Sequence, residues 1–358
     1  MNFNESALSY TLIDKNRRMM KMRISFVVVF FSCFVFCAGK STRTPQGTER
    51  GLARAQANVS TFPEGADKSL PQVKKYTHED ITFLAWSKDF GRGHAVLFEI
   101  ESTASLSNLS LFVDGKALPL IQGDGCLFAL FANSPESTLK INKVDIHRGG
   151  KKLVAFDVPV VAYKYPVAKH KLNVTLTSNT TKPMSEETKQ FIAQSWQKKK
   201  KAFVSASENY FSSVLRYPRD AHKITSPFHI KRVYERFKMV KGKRKSLKGR
   251  VSYHGGTDLK GLTGAPIFAV ADGVVNLAEH LYYEGNITLI DHGYGVMTGY
   301  MHQSVILVKQ GERVKAGQLI GKTGATGNVT GPHLHIFLLI HGVKTEALSL
   351  LALPLRPK

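Results

Sequence analysis

The residues best placed to do chemistry lie after position 250. Val251-Ser252-Tyr253-His254-Gly255-Gly256-Thr257-Asp258 sets a His and an Asp four apart across two glycines, and Gly331-Pro332-His333-Leu334-His335-Ile336 sets two His two apart in a β-rich run. Either motif alone is weak: with 13 His in 358 residues, an H-x-H arises by chance about once in two such chains. On a strand, however, alternation points His333 and His335 to one face, where a residue from another strand could complete a site with them. Tetrahedral zinc takes nitrogen or oxygen donors at about 2.0–2.2 Å, and a catalytic site keeps three protein ligands plus an open position. His254, Asp258 and one of the paired His satisfy that requirement. A further His must then activate water or stabilise the charge on the attacked carbonyl, and Tyr300-Met301-His302 supplies a candidate. The remaining histidines, His94, His147, His170, His222, His229, His280 and His341, read as surface or packed side chains, and His292 as a turn residue.

Together with their surroundings these motifs resemble the lysostaphin or LytM-type zinc metallopeptidases, which cut peptide bonds in bacterial peptidoglycan. The resemblance covers about 224–350 and rests on many ordered blocks. They are His254-Gly255-Gly256-Thr257-Asp258, Gly264-Ala265-Pro266-Ile267-Phe268-Ala269-Val270-Ala271-Asp272-Gly273-Val274-Val275, Gly285-Asn286-Ile287-Thr288-Leu289-Ile290-Asp291-His292-Gly293 and Tyr300-Met301-His302. Val314-Lys315-Ala316-Gly317-Gln318-Leu319-Ile320-Gly321 and Thr323-Gly324-Ala325-Thr326-Gly327-Asn328-Val329-Thr330-Gly331-Pro332-His333-Leu334-His335 follow. The resemblance implies that His254, Asp258 and His335 are the zinc ligands and that His302 and His333 flank the reacting water. It also implies an antiparallel β-sheet with the site in a groove between loops. That agrees with the short strands and repeated Gly turns, of which Asp272-Gly273 and His292-Gly293 read as hairpin turns.

Zinc so held lowers the pKa of a bound water towards about 7 and polarises the scissile carbonyl. Either His302 or His333 then takes the proton while the other donates a hydrogen bond to the oxyanion. Gly255, Gly256, Gly324 and Gly327 set backbone shape, and Asn286 and Tyr253 line the groove as substrate contacts. The chain departs from the family pattern at Gln303, at His229 where Gly is common, in the basic insertion 238–250, and in apolar Ile336-Phe337-Leu338-Leu339. These departures bear on groove shape and substrate choice; none removes a ligand.

The elements that must position these residues are mainly β. Seven short β-rich runs, from Ile81-Thr82-Phe83-Leu84 to Leu172-Asn173-Val174-Thr175-Leu176, are separated by turn residues including Asp114-Gly115, and this spacing predicts an Ig-like β-sandwich over 76–177. Ser185 followed by Glu186 and Glu187 predicts a helix start, and 178–213 reads as a basic connecting helix. The metallopeptidase domain occupies 214–358. Residues 40–75, rich in Ser, Thr, Gly, Pro and Gln, have the composition of a flexible linker. Residues 1–39 carry a basic stretch followed by an apolar run of about 16 residues ending in Ala38-Gly39, shorter than the roughly 20 that span a bilayer. They read as a signal peptide cleaved near Gly39 or, alternatively, a membrane anchor in 24–39.

Length and a 43% hydrophobic content exclude a disordered tail and a small disulfide scaffold. Three cysteines are too few for a disulfide framework, and Cys126 reads as a small buried hydrophobe. The 50 Lys+Arg against 27 Asp+Glu give a net charge of +23, and 17 of those cations against three acids fall within 195–250. That segment is either a solvated face or a means of retention on anionic envelope polymers. It contains no nucleic-acid module, so no nucleic-acid partner is expected. The sequence therefore predicts a zinc-dependent endopeptidase, exported to the periplasm or cell envelope and acting on peptidoglycan. The alternatives are a non-catalytic cell-wall-binding or amidase-activating protein of the same fold, and a metallopeptidase acting on protein.

Overall fold

A computed structural model describes residues 46–63, 66–173, 184–206, 208–211, 214–220 and 223–355. The export segment 1–39 lies outside the described residues. Among those described, no helix is long and apolar enough to cross a membrane.

The expected linker 40–75 contains a helix, α1 (Gln46–Ser60). Leu52, Ala55 and Val59 repeat at three- and four-residue steps and, with Phe62 beyond the helix end, form one apolar stripe; Ala55, Val59 and Phe62 are buried. Gly51 lies against the Trp86 ring so closely that any Cβ would collide with it, and Asn58 Nδ2 donates to Leu353 O at 3.3 Å. So few apolar positions anchor this helix that its composition resembles a tether.

Nine strands follow: β1 (Gln72–His78), β2 (Ile81–Ser87), β3 (Ala95–Ser102), β4 (Leu109–Val113), β5 (Lys116–Leu118), β6 (Ile121–Gln122), β7 (Leu127–Ala132), β8 (Ile141–Arg148) and β9 (Lys151–Pro159). They form two antiparallel sheets, ordered β1-β2-β3-β7-β6 and β5-β4-β8-β9. Phe83, Phe98 and Ile100 of the first sheet share a core with Leu111, Val144, Ile146 and Phe156 of the second, and the Phe83 and Phe156 rings stack at 5.4 Å. This is a sandwich, but three consecutive strands, β1 to β3, lie side by side in one sheet, which is not the immunoglobulin order. Asp114-Gly115 makes the expected hairpin turn, with φ of 49° and 77°. Cys126 is fully buried.

β2 and β3 are buried on both faces for most of their length. Their second face, with Leu84, Trp86 and Leu97, joins Val296, Ile340 and Leu350 in one continuous core. Backbone links cross the same seam: Glu346 N–H donates to Gly93 O at 2.7 Å, and Ala95 N–H donates to Ser349 Oγ at 2.9 Å.

Of the run expected at 172–176, the described residues Leu172 and Asn173 end a strand that pairs outside the sandwich. β10 (Val167–Asn173) pairs in parallel with β12 (Lys231–Val240), some 60 residues away, and 174–183 lie outside the described residues. α2 (Glu186–Ala202) begins as expected: Ser185 Oγ accepts from Thr188 N–H, Glu186 and Glu187 occupy the first turn, and Lys199, Lys200 and Lys201 the last. Each charge sits at the helix end where the backbone dipole favours it. Ser195 is buried and accepts from Tyr282 N–H at 3.1 Å, whereas Trp196 faces outward, 58% exposed.

β11 (Ile224–Ser226), β12, β13 (Lys243–Ser246) and β14 (Arg250–Tyr253) precede β15 (Thr257–Lys260), β16 (Pro266–Phe268), β17 (Gly273–Leu281), β18 (Gly285–Gly293) and β19 (Val296–Ile306). β20 (Arg313–Val314), β21 (Leu319–Thr323), β22 (His333–Ile340) and β23 (Val343–Thr345) complete the set. Ten of these form one sheet around the path β11-β15-β22-β19-β18-β17-β20, while β10, β12, β13 and β14 form a separate four-stranded sheet. The hairpin between β18 and β19 turns at Tyr294-Gly295, both with positive φ, not at His292-Gly293. His292 is instead fully buried, held by Asp272 O at 2.7 Å and Thr298 Oγ1 at 2.8 Å. Asp272-Gly273 is likewise no hairpin turn: it leads into β17, and the Asp272 carboxylate binds Lys315 Nζ and Ala316 N–H, each at 2.8 Å.

Candidate metal and catalytic centre

Local pairing brings the five histidine and aspartate residues together. His254 follows β14 and is fixed at both backbone ends, accepting from His229 N–H at 2.9 Å and donating to Ile230 O at 3.2 Å. Asp258 on β15 stands directly opposite His335 on β22, and His333 lies two residues earlier on the same face. Gly256 is required between them, since a Cβ there would run into Ile336 O and the His335 ring. Met301 of β19 lies opposite His335 on its other side, so regular alternation would send His302 to the far face. Instead His302 takes φ +63°, beside ladder irregularities with both neighbouring strands. Its ring then sits 4.9 Å from that of His333 and 6.0 Å from that of His335, centroid to centroid. A bulge that re-aims a side chain has this effect.

The donors converge tightly. His254 Nε2 lies 3.1 Å from His335 Nδ1 and 3.1 Å from Asp258 Oδ1, and His335 Nδ1 lies 2.8 Å from the same Oδ1. Ligands about 2.0–2.2 Å from a tetrahedral zinc are separated by about 3.3–3.6 Å, so a small outward shift of these side chains accommodates the ion. Among the described residues this is the group of His, Cys, Asp or Glu whose donors converge within 4.8 Å. His254 Nδ1 faces Pro227 O at 3.0 Å; donating there, it leaves the Nε2 lone pair for a metal. His302 Nδ1 faces Thr326 O at 3.0 Å and His333 Nδ1 faces Gly331 O at 2.9 Å, which frees each Nε2. His333 Nε2 lies 3.6 Å from Asp258 Oδ1, at the edge of the cluster.

Electrostatics suit this arrangement. Burial alone would raise the Asp258 carboxyl, but hydrogen bonds and charge from His254 and His335 outweigh it and hold it well below the usual carboxylate range. Burial pushes the His335 ring below its ordinary value despite the opposing pull of Asp258. Burial, helped by the neighbouring His335 and His333 and opposed by Thr326 O, pushes His302 down to about 4. Both rings are therefore neutral at pH 7.

Several supporting residues carried no sequence signal of their own. Thr326 Oγ1 donates to Gln303 O at 2.8 Å and accepts from Asn286 N–H at 2.9 Å, while its own carbonyl holds His302. Asn286 Nδ2 also donates to Gln303 O at 3.0 Å, so its amide braces the His302 bulge. Tyr253, by contrast, is exposed and stacks on His229 at 4.5 Å. His229 itself takes φ +53°, a conformation that favours glycine. Glu284 O accepts from His302 N–H at 3.0 Å, and the buried Glu284 carboxylate pairs with Lys199 of α2. Arg232 Nη2 donates to Ser226 Oγ at 2.8 Å and lies 3.9 Å from Asp258 Oδ2. Thr326 lies within a block already noted, but Arg232 is one cation in a basic run.

A cavity of about 520 Å³, lined among others by Tyr163, Tyr165, Tyr217, Lys88 and Glu346, opens between sandwich and catalytic sheet. Thr257 lines it, so alternation along β15 puts it on the face opposite Asp258. None of His254, Asp258, His302, His333 and His335 lines this cavity.

Residues 252–347 match the family described as peptidase family M23. The peptidoglycan DD-endopeptidase ShyC of Vibrio cholerae is 36% identical over 166 residues, 46% of this chain and 33% of the relative. ShyA of the same organism is 41% identical over 135 residues, 37% of this chain and 29% of the relative. The chain thus spans about a third of the length of these curated relatives. A Pseudomonas aeruginosa crystal structure assigned to peptidase M23 covers 74% of this chain and 96% of its own at a TM-score of 0.52 and 19% identity, which speaks to the fold. The HGGTD and HLH motifs thus lie within the matched segment and meet across adjacent strands of one antiparallel sheet, so that over 252–347 this chain is similar to peptidase family M23.

Proposed function

We propose that this chain is a zinc-dependent endopeptidase that hydrolyses peptide bonds in bacterial peptidoglycan, exported to the periplasm or cell envelope. The observation that carries the reading is the convergence of His254 Nε2, Asp258 Oδ1 and His335 Nδ1 within 3.1 Å of one another, with His302 and His333 alongside. The match to relatives named peptidoglycan DD-endopeptidases supports the substrate class, and the basic-then-apolar run within 1–39 supports export.

His254, Asp258 and His335 would hold the metal, which would supply Lewis acidity and an open coordination position. Asp258 offsets part of its charge, and its depressed pKa keeps the carboxylate available as a ligand. His302, neutral and with Nδ1 committed to Thr326 O, presents an Nε2 lone pair that takes a proton from the attacking water. His333 stands across from it; with a proton on Nε2 as well as on Nδ1 it donates a hydrogen bond to the carbonyl oxygen as charge develops there, and the proton held by His302 passes to the leaving amine as the bond breaks. Exposed Tyr253 at the rim contacts the substrate.

The test is metal-dependent digestion of purified peptidoglycan. The protein should bind one zinc per chain, lose cleavage on chelation and regain it with zinc. Full cleavage by a chelator-treated, metal-free sample would falsify the reading.

A further inference from the structure

We infer that the sheet of β10, β12, β13 and β14 is a cationic track that holds the carboxylate-bearing peptides of a peptidoglycan strand and leads them to the metal site. The inference rests on the proposed substrate and assigns how the polymer is gripped. Residues directly opposite in a ladder share a face, and alternate residues along a strand do too. Arg232, Arg236 and Lys238 lie on one face of β12. Arg250 stands opposite Tyr234, Lys245 opposite Lys238 and Lys243 opposite Val240, all on that same face. These six cations share it with no acid: Glu235, the one carboxylate of these strands, falls on the other face. Arg236, Lys238, Lys243, Lys245 and Arg250 have no ion-pair partner within 4.0 Å among the described residues, and Lys238, Lys243, Lys245 and Arg250 are exposed.

The inner end of the track is fixed to the active site. β12 begins beside the backbone pair that clamps His254 to His229 and Ile230, and Arg232 reaches within 3.9 Å of Asp258 Oδ2. From Arg232 to Lys238 the strand advances about 20 Å, so the charges run outward from the ligand set as a line. An extended anionic chain fits such a line better than a compact anion does. A polymer studded with carboxylated peptides supplies charges at that scale, and its attachment along the track raises the local concentration of scissile bonds at the zinc.

The test compares wild type with the triple variant Lys238→Ser, Lys243→Ser, Lys245→Ser and with its charge-conserving counterpart Lys238→Arg, Lys243→Arg, Lys245→Arg. All three substituted positions lie away from the catalytic machinery. Co-sedimentation with purified peptidoglycan sacculi, repeated across salt concentrations, measures binding. Three exposed charge contacts removed should weaken it about tenfold and flatten its salt dependence, while the arginine variant binds as wild type does. Amidating the sacculus carboxyls with carbodiimide and ammonia should weaken wild-type binding by a similar factor. On sacculi the serine variant should show a raised KM with unchanged kcat and zinc content. Equal binding by the serine variant, or undiminished binding to amidated sacculi, would overturn the track. Tight binding to anionic phospholipid vesicles but not to sacculi would overturn it in favour of a membrane surface. Binding of sacculi that depends on the three lysines but is followed by no cleavage would leave the track standing and refute the peptidase reading.

Discussion

Thr326→Val isolates how the chain aims His302. The two side chains have nearly the same shape, so the change deletes little but the hydroxyl. That hydroxyl donates to Gln303 O at 2.8 Å and accepts from Asn286 N–H at 2.9 Å. Gln303 O keeps a second donor in Asn286 Nδ2 at 3.0 Å, but the Asn286 N–H is left without its partner in a half-buried place. One lost neutral bond costs about 1 kcal/mol and an orphaned donor about 1–3 kcal/mol, giving a total of about 2–4 kcal/mol. The functional effect is separate. The carbonyl of the same residue receives His302 Nδ1 at 3.0 Å, so a shift of this loop turns the His302 ring away from the cluster, while Asp258 and His335 stay on their strands and His254 on its backbone clamp. Urea unfolding should show a lower midpoint at unchanged slope, zinc content should stay at one per chain, and kcat on peptidoglycan should fall by about 10²-fold or more, as expected when a proton-transfer group is displaced. Unchanged kcat, or loss of zinc along with activity, would refute the assignment of Thr326 as the residue that positions His302.

Three further outcomes follow from the same geometry. In the metal-free protein the His302 ring should titrate near 4 by NMR; because the unfolded chain binds this proton near 6.5, the stability contributed by His302 is complete above pH 6.5 and is lost as pH falls from there towards 4, and a midpoint near 6.5 in the folded protein would contradict the burial argument. Gly51→Ala drives a methyl into the Trp86 ring and should destabilise by about 1–3 kcal/mol, read as a lower thermal midpoint; an unchanged midpoint would mean that α1 does not pack there. Lys199→Met leaves the buried Glu284 carboxylate without its cation and should lower the urea midpoint by the equivalent of about 1–3 kcal/mol, whereas Lys198→Met, whose Glu279 partner is more exposed, should cost under about 1 kcal/mol.

The convergence of the His–Asp cluster was legible in the sequence because two of its motifs are local. His254 with Asp258 and His333 with His335 keep fixed spacings, and strand alternation turns those spacings into shared faces. The strands of the sandwich were legible for a related reason, since Phe83, Phe98 and their neighbours form unbroken apolar runs. What escaped depends on distant partners. The pairing of β10 with β12 joins segments some 60 residues apart and leaves no local trace. α1 was hidden because its buried stripe needs only Leu52, Ala55, Val59 and Phe62 among polar residues. The true turn at Tyr294-Gly295 demands positive φ from a tyrosine, which propensity disfavours. Thr326, Glu284 and Arg232 act through backbone carbonyls and carboxylates brought close by folding, and nothing in their immediate sequence separates them from residues that only face solvent.

The most direct test of the central claim is mass spectrometry of the products released from purified peptidoglycan by the full chain, by His335→Ala, and by the chelated protein before and after zinc is restored. The account predicts new free amino and carboxyl ends at one kind of peptide bond, absent with His335→Ala and with chelator and regained with zinc. Products carrying new sugar ends, or peptide ends that persist in the metal-free and His335→Ala samples, would contradict it.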